Sequence, residues 1–230
     1  MVNTLSQPNG DVFGGYSLTL NGNYLNFSTP SIIIDGITCV VTAATSAAVT
    51  CTVGSRLSLP PYNSFVVQVG SVNAIIYQSF SYVLRWSDIR TWGTDLPPVD
   101  GDLVYVPPGM NLLVDQTTPI LKGILVQNGT LTFADESDMV ISTGLITLTG
   151  GKFIAGTEKQ PYQHKLTFVM YGGYYSAQQP MFGNKGIGCL ECFISMYGQV
   201  RQYTWTLLSA TANIGDINII VKDSVDWKVG

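Results

Sequence analysis

The chain has 230 residues, a formal net charge of −4, 46% hydrophobic residues and only 11% charged ones. It contains no basic run, so it lacks the cationic footprint that a nucleic-acid partner requires, and no stretch of about 18 apolar residues is free of polar breaks, so no membrane span is expected. A membrane could be reached only through a segment outside this sequence. Met1-Val-Asn-Thr lacks the charged and apolar regions of a signal peptide. The 24 glycines, 12 tyrosines and many Ser and Thr residues favour strands and turns over helices.

The first segment reads as short strands every 8–12 residues. Tyr16-Ser-Leu-Thr-Leu alternates, and Asn21-Gly-Asn is expected to turn. Asn26-Phe-Ser is a glycosylation sequon. Ser31-Ile-Ile-Ile-Asp-Gly reads as a strand and turn, and Phe65-Val-Val-Gln-Val-Gly and the run Ala74–Val83 complete the set. Cys39 and Cys51 lie on two short β segments joined by small residues. Paired antiparallel, they would face each other, and a disulfide there would stabilise by about 3 kcal/mol in the chain-entropy model. Two buried free thiols are the alternative. This pattern predicts an immunoglobulin-like β-sandwich over residues 1–83.

The composition changes near Tyr82–Trp86, and from there the chain repeats. Ile124-Leu-Val-Gln-Asn-Gly aligns with Ile146-Thr-Leu-Thr-Gly-Gly and with Phe168-Val-Met-Tyr-Gly-Gly, at an offset of 22 each time. Val104-Tyr-Val-Pro-Pro-Gly precedes by 20, and Ile194-Ser-Met-Tyr-Gly-Gln follows by 26. The first and third positions are apolar in every copy. Alternation places both on one strand face, and a near-constant spacing stacks those faces, as in a β-solenoid. A parallel β-helix-like domain is therefore expected over residues 84–230, giving an all-β chain of two units.

Candidate chemistry is sparse. Asn128-Gly-Thr is a second sequon. Asp135-Glu-Ser-Asp138 is the densest acidic group and reads as a solvated turn; a calcium site would need several converging oxygens. His164, the only histidine, precedes a strand, and no G-x-S-x-G elbow occurs. Cys189-Leu-Glu-Cys192 is a lone CxxC. Zinc wants four ligands and a thioredoxin-like motif wants a βαβ context, so a disulfide pinching a turn is favoured. Tyr171 and Tyr197 hold the fourth, outward position of successive copies and are expected to stack as an exposed ladder suited to sugar faces, or to pack across strands. No catalytic, metal or cofactor site is expected.

Residues 86–230 resemble the G-eight domain, named for its glycines. Trp86-Ser, Gly101-Asp102, Pro108-Gly109, Gly129-Thr-Leu131-Thr-Phe133, Gly150-Gly151, Gly156, Pro161, Gly183-Asn184-Lys185, Gly198, Trp205-Thr206-x-Leu208 and Asp226-Trp227-x-Val229-Gly230 follow the family's order. Cys189-Leu-Glu-Cys192 departs from it, where members more often carry a glycine-rich turn. Residues 1–83 resemble an IPT/TIG domain through Gly14-Gly-Tyr-Ser-Leu-Thr-Leu-Asn-Gly and the Cys39, Cys51 pair. The combination is typical of fibrocystin-like surface receptors. The resemblance implies a non-enzymatic extracellular or cell-surface fragment working in adhesion, in recognition of a protein or glycan ligand, or in coat assembly, alongside other domains of a longer chain. Hyaluronan-degrading proteins that carry the domain imply a second role, as an accessory part of a glycan-cleaving enzyme, and a filament protomer that self-assembles is a third.

Overall fold

A computed structural model describes residues 1–56, 64–93, 96–176, 178–179 and 181–227. They are strands and turns throughout, apart from a 3-10 turn at Ile89–Trp92. Among the described residues no helix is long and apolar enough to cross a membrane.

The first nine strands are β1 (Val2–Leu5), β2 (Asn9–Asp11), β3 (Ser17–Gly22), β4 (Pro30–Ile34), β5 (Ile37–Ala44), β6 (Ala48–Thr52), β7 (Phe65–Val69), β8 (Val72–Asn73) and β9 (Ser81–Arg85). Seven of them form an antiparallel sheet in the order β1-β3-β6-β5-β4-β7-β8. The sheet curls around a core that includes Leu18, Leu20, Ile32, Ile34, Val49 and Val67. Alternation explains that choice, since every second residue of β3 and β4 points inward. Asp35 and Gly36 both have positive φ and close a two-residue hairpin between β4 and β5, the turn whose twist matches flanking strands.

Two sequence expectations change here. The turn expected at Asn21-Gly-Asn begins later, because β3 runs through Gly22. The run Ala74–Val83 is not one strand. Only its last three residues enter β9, and β9 leaves the antiparallel sheet to pair in parallel with β2.

The remaining strands are β10 (Leu103–Val106), β11 (Asn111–Val114), β12 (Gly123–Gln127), β13 (Thr130–Phe133), β14 (Met139–Thr143), β15 (Leu145–Thr149), β16 (Lys152–Ala155), β17 (Leu166–Met170), β18 (Gly186–Leu190) and β19 (Phe193–Met196). They form three parallel ladders. The first is β10-β12-β15-β18, the second is β2-β9-β11-β13-β16-β19, and the third is β14-β17. Parallel neighbours need a crossover connection. Here the crossover from β12 to β15 passes through β13 and β14, which belong to the other two ladders.

The inward residues of all three ladders make one core. The first contributes Val104, Val106, Ile124, Val126, Ile146 and Leu148; the second, Leu112, Leu131, Phe133 and Phe153; the third, Met139 and Ile141. Phe133 and Phe153 lie in it and the partly buried Phe168 packs against them, with ring centroids 5.0 to 5.8 Å apart. Val104↔Ile124 and Ile124↔Ile146 pair as the repeat predicts. Two copies are misplaced by that repeat. Ile146 pairs with Ile187, Phe168 pairs with Ile141 on the third ladder, and Ile194 pairs with Phe153 on the second.

Candidate functional site

The disulfides mark the two units differently. Cys39 and Cys51 are bonded with Cα atoms 5.5 Å apart, and both are buried. They are not register partners, as simple facing strands would make them. Cys39 pairs with Ile32 on β4, while Cys51 pairs with Val41 on β5. The bond therefore spans the place where β5 passes from one neighbour to the other. Cys189 and Cys192 are bonded across the corner between β18 and β19, again with Cα atoms 5.5 Å apart. Glu191 between them has φ 51°. Asn128 (φ 51°) and Gly150 (φ 67°) hold the same corner on the two preceding levels. The corner thus requires a left-handed residue, which glycine or asparagine supplies cheaply and glutamate does not.

The two sequon asparagines are exposed. Asn26 lies in the turn after β3 and Asn128 at the stacked corner. A Cβ on Gly150 would sit 2.1 Å from Asn128 Oδ1, so the amide oxygen faces the next level.

A groove of about 500 Å³ follows this corner from the antiparallel unit to the last level, and Arg56, Tyr82, Asn128, Lys152, Cys192 and Phe193 are among its walls. Arg56 pairs with Asp35 at 3.5 Å, with both side chains buried. Tyr82 donates to the Gly54 carbonyl at 2.8 Å. Burial pushes the Tyr82 hydroxyl up to about 12, and the nearby Asp35 adds to it. Burial also raises Asp35, against the lowering effects of the Ser64 N–H and Arg56.

A second groove of about 590 Å³ lies where the third ladder meets the end of the second, and is bordered by Tyr162, His164, Lys165, Tyr197, Gln199 and Arg201. Asp135 accepts the N–H groups of Gln163 (2.8 Å) and His164 (2.9 Å), and its Oδ1 lies 2.8 Å from His164 Nδ1. Burial alone would raise Asp135, but the two amides and the imidazole outweigh it and hold the carboxyl below its usual range. Asp138 accepts the Lys165 N–H at 2.9 Å. Elsewhere Asp100 accepts from Ile120, and Asp115 from the backbone and hydroxyl of Ser87. These carboxylates tie one level of the ladders to the next. Among the described residues no group of three His, Cys, Asp or Glu side chains could hold a metal ion. Asp95 lies outside the described residues.

Tyr171 and Tyr197 are 42% and 45% exposed, but they do not form one ladder. Tyr171 follows β17 and donates its N–H to Thr143, whereas Tyr197 follows β19 and donates to Ala155. They end different ladders, because the copies at Phe168 and Ile194 lie on different ladders. Tyr197 borders the second groove. The polar residues that meet it there, Gln163, Gln199 and Arg201, carry no motif, and only the folded corner brings them together.

The sequence profile of the G8 domain matches residues 91–209, and that of the IPT/TIG domain matches residues 2–83. The chain belongs to the G8 domain family. Fibrocystin-L of Homo sapiens is 32% identical over the whole of this G8 chain, which spans 6% of that relative's length. Fibrocystin of Mus musculus is 33% identical over 66% of the chain, and 4% of the relative is spanned. Protein rliB of Dictyostelium discoideum is 30% identical over 65% of the chain, and 14% of it is spanned.

Several G8 motif residues have visible structural work. The Gly183-Asn184-Lys185 turn follows Phe182, whose ring lies on Gly188. A Cβ on Gly188 would be 2.1 Å from that ring. Trp86 is fully buried, its carbonyl accepts Trp92 Nε1 at 3.0 Å, and the two rings meet edge to face at 5.0 Å. Asp226 accepts the Gln202 N–H at 3.0 Å and closes the final segment. Val229 and Gly230 of the terminal motif lie outside the described residues.

Proposed function

We propose that this G8 chain is a non-enzymatic extracellular segment of a fibrocystin-like protein, built to hold a rigid surface for adhesion, for recognition of a protein or glycan ligand, or for coat assembly. The observation that carries the reading is the continuity of the second ladder, in which β2 from the antiparallel unit and β19 at the far end belong to one six-stranded sheet. A spacer and a platform joined by backbone hydrogen bonds hold a fixed angle, as a recognition element in a long ectodomain needs. In this reading residues 1–83 are an immunoglobulin-like IPT/TIG unit. Residues 84–230 are the start of a parallel β-helix whose three sides are the three ladders. Carboxylates engaged as backbone acceptors favour a binding role over catalysis, and Tyr197 beside an amide- and cation-lined groove favours a ligand with a flat apolar face. Neighbouring domains of a longer chain are the first partners expected.

The test is non-reducing peptide mapping of the chain made through a secretory pathway. Intact Cys39–Cys51 and Cys189–Cys192 links, with glycan on Asn26 and Asn128, are the expected result. Free thiols and bare asparagines in such material would remove the extracellular setting from the proposal.

A further inference from the structure

The groove of about 500 Å³ along the stacked corner is walled largely by strands that are paired on both sides. β9, β11, β13 and β16 are interior strands of the second ladder. Asn128 stands between β12 and β13, each of which has a neighbour above and below, and it is still exposed. Its side-chain amide has a defined direction. The point a Cβ on Gly150 would occupy lies 2.1 Å from Asn128 Oδ1 and 3.6 Å from Nδ2. The oxygen faces that level, and the nitrogen, which is the atom that carries an N-linked sugar, is turned away from it.

The walls suit a neutral, tethered occupant. Asp35 and Arg56 pair with each other, and Lys152 and Glu191 add one charge of each sign, so the charges around the groove cancel. Its polar groups are mostly engaged already. The Tyr82 hydroxyl donates to Gly54, and Asn111 donates to the Tyr82 carbonyl and accepts from Thr132. A free ligand would find few unused donors and acceptors here. A covalently attached one needs few, because tethering removes most of the cost of association and gives a high effective concentration.

We propose that the groove seats the glycan carried by Asn128, with its first N-acetylglucosamine residues lying between the stacked corner and the antiparallel unit. The inference rests on the extracellular reading, since an asparagine receives such a sugar in the secretory pathway. The groove volume falls in the range of about 300–1,000 Å³ that small-ligand sites span. Gly109, Gly129 and Gly151 present backbone along it and leave room for sugar rings. Seated there, the glycan touches both units and stiffens the angle between them.

The experiment uses the chain secreted with uniform high-mannose glycans, kept folded, and treated with an endoglycosidase that cuts between the two N-acetylglucosamines. Mass spectrometry follows trimming at Asn26 and Asn128 in the same sample. A glycan seated about 90% of the time is cut about 10-fold more slowly than a free one. Trimming at Asn128 should lag Asn26 by at least that factor, and the lag should vanish on denaturation. Thr130→Val removes the sequon while keeping Asn128 and a β-branched strand residue. It should raise hydrogen exchange at Tyr82 and Asn111, whereas Ser28→Ala, which removes the Asn26 glycan, should leave both unchanged. Equal trimming in the folded chain, or unchanged exchange in Thr130→Val, would overturn the proposal. A bare Asn128 beside a glycosylated Asn26 would overturn it alone and leave the extracellular setting in place. Bare asparagines at both sites with free thiols would remove the setting and the seat together.

Discussion

At the residue scale, buried tyrosine hydroxyls donate to backbone carbonyls inside the fold. Tyr162 is buried and donates to the Ala134 carbonyl at 2.5 Å. Burial, with smaller contributions from Asp135 and Asp138, pushes its pKa from the ordinary 10.0 up to about 12. The sign of the pH effect follows. A group whose folded pKa is raised contributes fully below its unfolded pKa, and the contribution is lost as pH rises through the folded value. Stability should therefore hold below pH 10 and fall between about 10 and 12. Tyr82, also pushed to about 12, titrates over the same window. Tyr162→Phe should cost about 1 kcal/mol at neutral pH through the lost hydrogen bond. It should also flatten the alkaline slope. Denaturant melts at pH 7, 10 and 11 check both effects, and an unchanged slope would mean that Tyr162 ionises in the folded state without penalty.

At the element scale, the levels of the ladders are set by corners as much as by strands. The apolar pairs Val104/Val106, Ile124/Val126 and Ile146/Leu148 revealed the first ladder because only β11 separates the first two, and β13 and β14 the last two, with short connections between them. That regularity ends when the connections after β16 and β17 lengthen, and the step from Ile146 to its true partner Ile187 is 41 residues rather than 22. Phe168 keeps the old spacing by accident and has the same apolar alternation, since all three ladders bury the same core. Alternation reports a buried face, not which ladder owns it. The parallel pairing of β2 with β9 joins residues about 70 positions apart and has no local signal. The corner itself is more legible, because left-handed backbone selects Gly and Asn. Glu191 breaks that preference and has the disulfide beside it. Glu191→Gly should stabilise the chain by about 0.5–1 kcal/mol, the strain relieved at a left-handed site less glycine's extra unfolded freedom. Thermal melting with the disulfide intact measures it, and a lower melting temperature would show that the glutamate side chain contributes more than the strain it carries.

At the scale of the whole molecule, the boundary between the units runs through a strand. A cut at residue 83 divides β9, whose first three residues pair with β2 and whose last two pair with β11. Leu84 packs against both cores. Arg90 lies 3.9 Å from the centre of the Phe13 ring and 3.7 Å from Asp11, reaching back across the junction. Asn111 donates to the Tyr82 carbonyl at 3.3 Å and accepts from Thr132, extending the contact one level further. Separate domains on a flexible linker melt independently, whereas units sharing a sheet and a packed side chain lose both when either opens. Calorimetry should therefore show one transition for the chain. Leu84→Ala, which thins the packing on both sides, should lower that transition without splitting it, at a cost of about 1–2 kcal/mol, below the usual range for a fully buried leucine. Hydrogen exchange should report the loss equally at Leu20 in the first core and Leu131 in the second. Two separated endotherms, or a loss confined to one core, would mean that β9 is a tether rather than a shared strand, and the fixed angle on which the recognition role depends would go with it.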